Sequence, residues 1–168
     1  MPSNSLAPKP RSIGTRRTIS IVASLYNDEL VNSLLNSTIE ELRRIMPSIT
    51  VPVYRVPGAF EIPVCVKHLI ENTTNDALIA LGVIIKGETD HADLVGSSVT
   101  TSLQNLALAN NIPIIHEVLL TENREQAVER CQGAKNRGLE AAKAAITMAE
   151  LFSSLNAIKD RRTSTSNG

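Results

Sequence analysis

Nine consecutive residues, Ala77 to Ile85, carry no polar side chain. The run is far short of the ~20 apolar residues a membrane span needs. It is also too continuous for a strand with one wet face, in which apolar and polar residues would alternate. A strand covered on both faces fits, and such strands belong to parallel sheets with helices packed above and below.

The rest of the chain follows the same grammar. Thr18 to Leu25 is a second short apolar run, and Leu30, Val31, Leu34, Leu35, Ile39, Leu42 and Met46 then recur at helical spacing. Val51 to Val56 reads as a strand ended by Pro57-Gly58, and Phe60 to Thr73 as a helix with Ile62, Val66, Leu69 and Ile70 inward. Beyond the aliphatic run, Val99, Leu103 and Leu106 mark a helix, and Ile112 to Leu120 a further strand. A short helix near Glu125 to Cys131 precedes a longer one from Gly138, whose predicted buried stripe is Leu139, Ala142, Ile146, Ala149, Phe152 and Leu155. Strands alternating with helices imply right-handed crossovers. The expected fold is an α/β three-layer αβα sandwich, flavodoxin-like, with a four-stranded mostly parallel sheet. Ligands collect beyond the carboxyl ends of such strands, where Tyr26, Phe60, His91 and His116 are expected.

At 168 residues the chain fits one domain. Residues 18–157 are expected to form it, with 1–17 as a disordered or arm-like segment, whose composition a transit peptide would share, and 158–168 as a disordered tail. Seventeen basic residues balance seventeen acidic ones. There is therefore no basic field of the kind that nucleic acid or an anionic membrane would attract, and neither is an expected partner. Cys65 and Cys131 lie far apart in apolar helical patterns without metal-ligand spacing, and are read as free, buried thiols. No apolar signal core opens the chain, so the cytoplasm is the expected compartment.

Chemistry concentrates in Leu81-Gly-Val-Ile-Ile-Lys-Gly-Glu-Thr-Asp-His-Ala-Asp-Leu94. A strand ending in a glycine turn before a helix presents free N–H groups, which bind phosphate without a cationic side chain. His91 follows directly, can titrate near neutral pH, and has Asp93 close enough in sequence to influence it. The plainer readings are a structural histidine and an ordinary helix cap by Thr89 or Asp90. Gly82 and Gly87 have the spacing of a nucleotide-binding loop, but Glu88-Thr89 stands where Lys and Ser/Thr are required. Only four aromatic residues occur. Two of them, Tyr26 and Phe60, fall at strand ends, where a planar ring could stack on a heterocycle. A rim tyrosine packed on the first helix is the bland alternative. Arg130 by itself is a solvated helix charge, and His68 a surface or interface residue.

Four runs in order, Ser24-Leu-Tyr-Asn27, Val56-Pro-Gly-Ala-Phe-Glu-Ile-Pro63, Leu81 to Leu94 and Glu125-Gln-Ala-Val-Glu-Arg130, resemble the lumazine synthases, which catalyse the penultimate step of riboflavin biosynthesis. The resemblance covers Thr18 to Leu155. It implies a transferase that condenses 5-amino-6-(D-ribitylamino)uracil with 3,4-dihydroxy-2-butanone 4-phosphate, giving 6,7-dimethyl-8-ribityllumazine, phosphate and water. By that resemblance His91 and Arg130 are catalytic. Tyr26, Asn27, Ala59, Phe60, Glu61, Val83, Ile84, Ile85 and His116 bind substrate, while Gly87, Glu88, Thr89 and Arg130 hold the phosphate. Glu88 is expected to offer only its backbone N–H. Neither a cofactor nor a metal is called for. The implied partners are the two small-molecule substrates, further copies of the chain and riboflavin synthase. The copies would form a pentamer, a decamer or an icosahedral shell of sixty subunits, with sites between subunits.

The chain departs from the family's pattern at His116-Glu117, where Phe-Gly is usual, and in Cys131-Gln-Gly-Ala-Lys-Asn-Arg-Gly138, which is one residue shorter than the common form. The competing expectation is a non-catalytic flavin- or lumazine-binding or shell-forming relative, in which His116 has replaced an aromatic needed for turnover.

Overall fold

The computed structural model describes residues 16–165. The elements run β1 (Ile19–Ser24), α1 (Asp28–Ile45), β2 (Val53–Val56), a single 3₁₀ turn (Ala59–Glu61), α2 (Ile62–Asn72), β3 (Ala77–Ile85), α3 (His91–Asn110), β4 (Ile114–Thr121), α4 (Arg124–Cys131) and α5 (Arg137–Thr165). The strands form one sheet in the order β2-β1-β3-β4, with every pairing parallel. This is the expected three-layer α/β sandwich.

Why β3 has no polar residue is visible in its neighbours. Ala77, Ile79, Leu81 and Val83 face a core shared with Leu30, Leu34, Leu42 and Ile45 of α1, Ala127 of α4, and Ala142 and Ile146 of α5. Leu78 and Ala80 face the opposite core, with Ile62 and Val66 of α2 and Val99 and Leu103 of α3. Both sides of the pleat are dry, so alternation disappears from the sequence. Helix ends follow local chemistry as well: α1 opens with Asp28 and Glu29 and closes with Arg43 and Arg44, matching the sign of the helix dipole at each end.

α5 packs through its smallest residues. Gly138, Ala141, Ala142, Ala145, Ile146 and Ala149 form its buried stripe, whereas Leu139 is 40% and Leu155 51% exposed. Two residues of the expected stripe are thus on the outside. Leu139 sits one position, about 100°, off the stripe that Gly138 and Ala142 define, and Leu155 lies past Ala149, where the buried stripe ends. The tail expected from Ile158 onward is also different: α5 continues to Thr165. No glycine or proline interrupts the chain between Leu139 and Asn167, so nothing breaks the helix even where its side chains are solvated. At the other end, residues 1–15 of the expected arm lie outside the described residues. Arg17 is joined to the fold, its carbonyl accepting from Thr50 N at 2.9 Å and its guanidinium 3.4 Å from Asp76. Both cysteines are free; Cys131 is buried but Cys65 only partly so, and burial pushes the Cys131 thiol up to about 11.

Gly138 is where α5 meets α1. A Cβ there would stand 2.7 Å from the Leu34 carbonyl oxygen, backbone that cannot step aside cheaply. Gly138→Ala is therefore expected to lower unfolding free energy by ~1–3 kcal/mol, read as a reduced urea midpoint at unchanged slope. An unchanged midpoint would show that α1 and α5 are not held at this separation.

Candidate active site

β3 is longer than β1 at the carboxyl end. β1 pairs with it only as far as Ala23 opposite Leu81, whereas β4 accompanies it to Ile85 opposite Thr121. Along Val83, Ile84 and Ile85 one backbone edge is therefore unpaired on the β1 side. Into this gap turn the connections that follow β1 and β2. They are tied to each other by Leu25 N donating to Val56 O at 2.7 Å and Tyr26 N to Pro57 O at 3.1 Å. Arg55 braces the first connection from beneath, donating to Ser24 O at 3.0 Å and pairing with Asp28 at 3.0 Å. Asn27 adopts the left-handed conformation (φ 57°), tolerated by Asn, and its side-chain amide donates to Val83 O at 2.7 Å.

The result is a cavity of about 440 Å³ over the end of β3. Tyr26, Ala59 and Phe60, the strand end Val83, Ile84 and Ile85, and Gly87, Thr89 and His91 line it together. Nine of the residues expected from the sequence thus line one cavity. Tyr26 is 73% and Phe60 62% exposed, an unusual exposure for the rare aromatic residues of this chain. Gly58, Ala92 and Val95 also line it and were not singled out. Gly58 could have been found from its place in the Pro-Gly break, while Ala92 and Val95 carry no chemical signal.

The turn from Gly87 to Asp90 is open. Among the described residues the N–H groups of Gly87, Glu88 and Thr89 make no hydrogen bond; the last ladder bond is Lys86 N to Thr121 O at 2.9 Å. Asp90 occupies the cap position of α3 without a side-chain cap bond, so the ordinary cap anticipated as the plain alternative is not formed. A Cβ on Gly87 would meet nothing within 4 Å; glycine there leaves room at the cavity wall. Glu88 is exposed and does not line the cavity.

Several expected residues stand elsewhere. Asp93 does not serve His91: its carboxylate lies 3.1 Å from Lys86 Nζ. Glu61 is outside the lining and accepts from Gly58 N at 2.8 Å, capping the turn it belongs to. His116 does not fall at a strand's carboxyl end. It is paired with Ala80 in mid-sheet, five residues before Thr121 and so about 16 Å short of the strand end. Its Nε2 is 2.8 Å from Thr100 Oγ1 on α3. Arg130 is exposed on the last turn of α4, away from the cavity lining, and its charge is felt by the buried Glu117.

Residues 16–153 match the family model described as 6,7-dimethyl-8-ribityllumazine synthase. The 6,7-dimethyl-8-ribityllumazine synthase of Burkholderia multivorans (strain ATCC 17616 / 249) is 40% identical over 153 residues, covering 90% of this chain and 87% of the relative. Those of Burkholderia vietnamiensis (strain G4 / LMG 22486) and Burkholderia cenocepacia (strain HI2424) are each 39% identical over 153 residues, covering 90% of this chain and 89% and 88% of the relatives. The chain belongs to the lumazine synthase family.

Within this family member His116 and Glu117 are neighbours in unlike surroundings. The side chains leave β4 in opposite directions. Glu117 is 6% exposed and is held by Arg137 through Nε–Oε2 at 3.3 Å and NH2–Oε1 at 3.1 Å; burial raises its pKa and the Arg137 guanidinium opposes that rise. Desolvation lowers that of His116. The unfolded chain then takes up a proton on residue 116 that the folded chain refuses, so this contribution to stability weakens as pH falls through the window just below 6.5. His116 is expected to titrate below 6.5 in a histidine-resolved NMR titration; a midpoint at or above that value would mean the ring is not desolvated as described.

Proposed function

We propose that the cavity over β3 is where 5-amino-6-(D-ribitylamino)uracil is condensed with 3,4-dihydroxy-2-butanone 4-phosphate to 6,7-dimethyl-8-ribityllumazine, phosphate and water. One observation carries the reading. The unpaired edge of β3, an aromatic wall and the uncapped start of α3 converge on one cavity in a chain whose family is defined by that product. The edge of Val83 to Ile85 offers amide and carbonyl groups to a pyrimidine, with Tyr26 and Phe60 as its stacking surface. The ribityl chain extends along the Ala59–Glu61 turn. The N–H groups of Gly87, Glu88 and Thr89 receive the phosphate.

The protein has little bond-making to do. The nucleophile is the amine of the uracil substrate, so no side chain forms a covalent intermediate. Holding two reactants in register supplies the entropic part of the acceleration. After imine formation phosphate leaves and the ring closes, while His91 at the cavity wall moves protons. Family membership over nearly the whole described chain favours this enzyme over a non-catalytic flavin-binding relative.

The site is completed by a second copy. In the single chain His116 and Arg130 lie outside the cavity, and β4, which carries His116, is an edge strand. Phe60 and Leu94 are exposed beside the cavity. A homopentamer would cover such surfaces and bring a neighbour's Arg130 to the phosphate, where a guanidinium makes paired charge-assisted bonds; pentamers could in turn build a decamer or a shell, with riboflavin synthase as consumer of the product.

Incubating the protein with both substrates and following the bicyclic product tests the reaction; formation no faster than the spontaneous rate would overturn it. His91→Ala is expected to lower kcat by ~100-fold or more with product affinity retained. Arg130→Ala is expected to raise KM for the phosphorylated ketone by about 10- to 100-fold with little change for the uracil. Equal losses for both substrates would remove Arg130 from the phosphate.

A further inference from the structure

Lys86 lies between the end of β3 and the turn assigned to phosphate, yet its ammonium is not directed to an anion site. It is 3.1 Å from Asp93 Oδ1 and 2.8 Å from Glu122 Oε1. Asp93 is in the first turn of α3, and Glu122 directly precedes Asn123, whose side chain caps α4 by accepting from Gln126 N at 2.9 Å. One cation therefore joins the ends of β3 and β4 to the starts of α3 and α4.

The pair with Asp93 closes a loop around the very segment that lacks internal bonds. Among the described residues no backbone bond is made by the N–H groups from Gly87 to Thr89, and the cap position carries no side-chain bond. Free N–H groups are useful to a ligand only if they point one way, and a turn without internal bonds has nothing of its own to keep them aligned. We infer that Lys86 is a positioning residue: held by Asp93 and Glu122, its ammonium fixes the turn from Gly87 to His91, so that free backbone N–H groups and the imidazole face the cavity together. The inference rests on the proposed reading of that turn as the phosphate site. Lys86 does not touch substrate; both its partners are carboxylates of the chain itself.

Two measurements test it. Amide hydrogen exchange of residues 94–96, whose bonds close the first turn of α3, is expected to quicken at least tenfold in Lys86→Met, with β1 and α1 unchanged, and to return close to wild type in Lys86→Arg. In steady-state kinetics Lys86→Met should raise KM for the phosphorylated ketone about tenfold while leaving KM for the uracil within twofold, and adding Glu122→Gln should cost little more because the two share one contact. Unchanged exchange at 94–96 in Lys86→Met, or equal KM increases for both substrates, would overturn the inference. Wild-type protein that makes no product would overturn the proposed reaction instead, and the exchange measurement would still decide the role of Lys86.

Discussion

The site depends on a difference in strand length. In a parallel sheet each strand's backbone groups are normally used by both neighbours, and a central strand has none to spare. Here β1 stops at Ser24 and turns away into α1, while β3 runs on beside β4 to Ile85. A few residues of β3 are left with one edge paired and one edge free, inside the fold rather than at its border. The free edge could not survive in an apolar setting. It persists because Asn27 satisfies Val83 O and the remainder opens on the cavity. The left-handed backbone at Asn27, the Pro-Gly break after β2 and the glycine after β3 bend three connections around the same gap.

His116 and Glu117, where the resemblance leads one to expect Phe-Gly, put unlike chemistry on the two faces of β4. A glycine needs no partner, but Glu117 is a carboxylate taken almost wholly out of water, and it is tolerated because Arg137 approaches with two N–H groups. Removing Arg137 would strand a buried carboxylate, so Glu117 depends on that guanidinium. On the other face His116 gains a hydroxyl partner in Thr100, which phenylalanine could not use. The helix that supplies Thr100 carries titratable groups only at His91 and Asp93, near its start, and β3 carries none. Burial therefore lowers the pKa of the imidazole at position 116, against a smaller opposing contribution from a backbone hydrogen bond.

How much of this was legible in the chain depended on whether the signal was local. β3 was found to the residue, Ala77 to Ile85, because both faces are covered and its ends are marked by Asp76 and Lys86. The cavity wall was legible because aromatic residues are rare in this chain and two of the four fall at strand ends, where ligands gather. The stripe of α5 was misjudged because large apolar residues were expected to face inward. The close contact with α1 instead requires Gly138 and alanines, and pushes Leu139 outward. His116 was expected at a strand end because the strand was read as ending at Leu120 without regard to where position 116 falls along it. The pairing of Asp93 was invisible because proximity in sequence favoured His91, whereas helical geometry carries the two side chains to different sides.

In the proposed reaction the phosphate is a leaving group, and this bears on why its pocket is built mostly of backbone. A leaving phosphate gains negative charge as its bond breaks, so groups that respond to that charge do more for turnover than groups that bind substrate and product alike. Lys86, adjacent to the turn, is instead neutralised by two carboxylates of the chain. On the proposed reading, what remains for the anion is a set of N–H dipoles at a helix start. Any full positive charge then has to come from elsewhere, and a guanidinium delivered by a neighbouring copy would complete the pocket only when the protein is assembled.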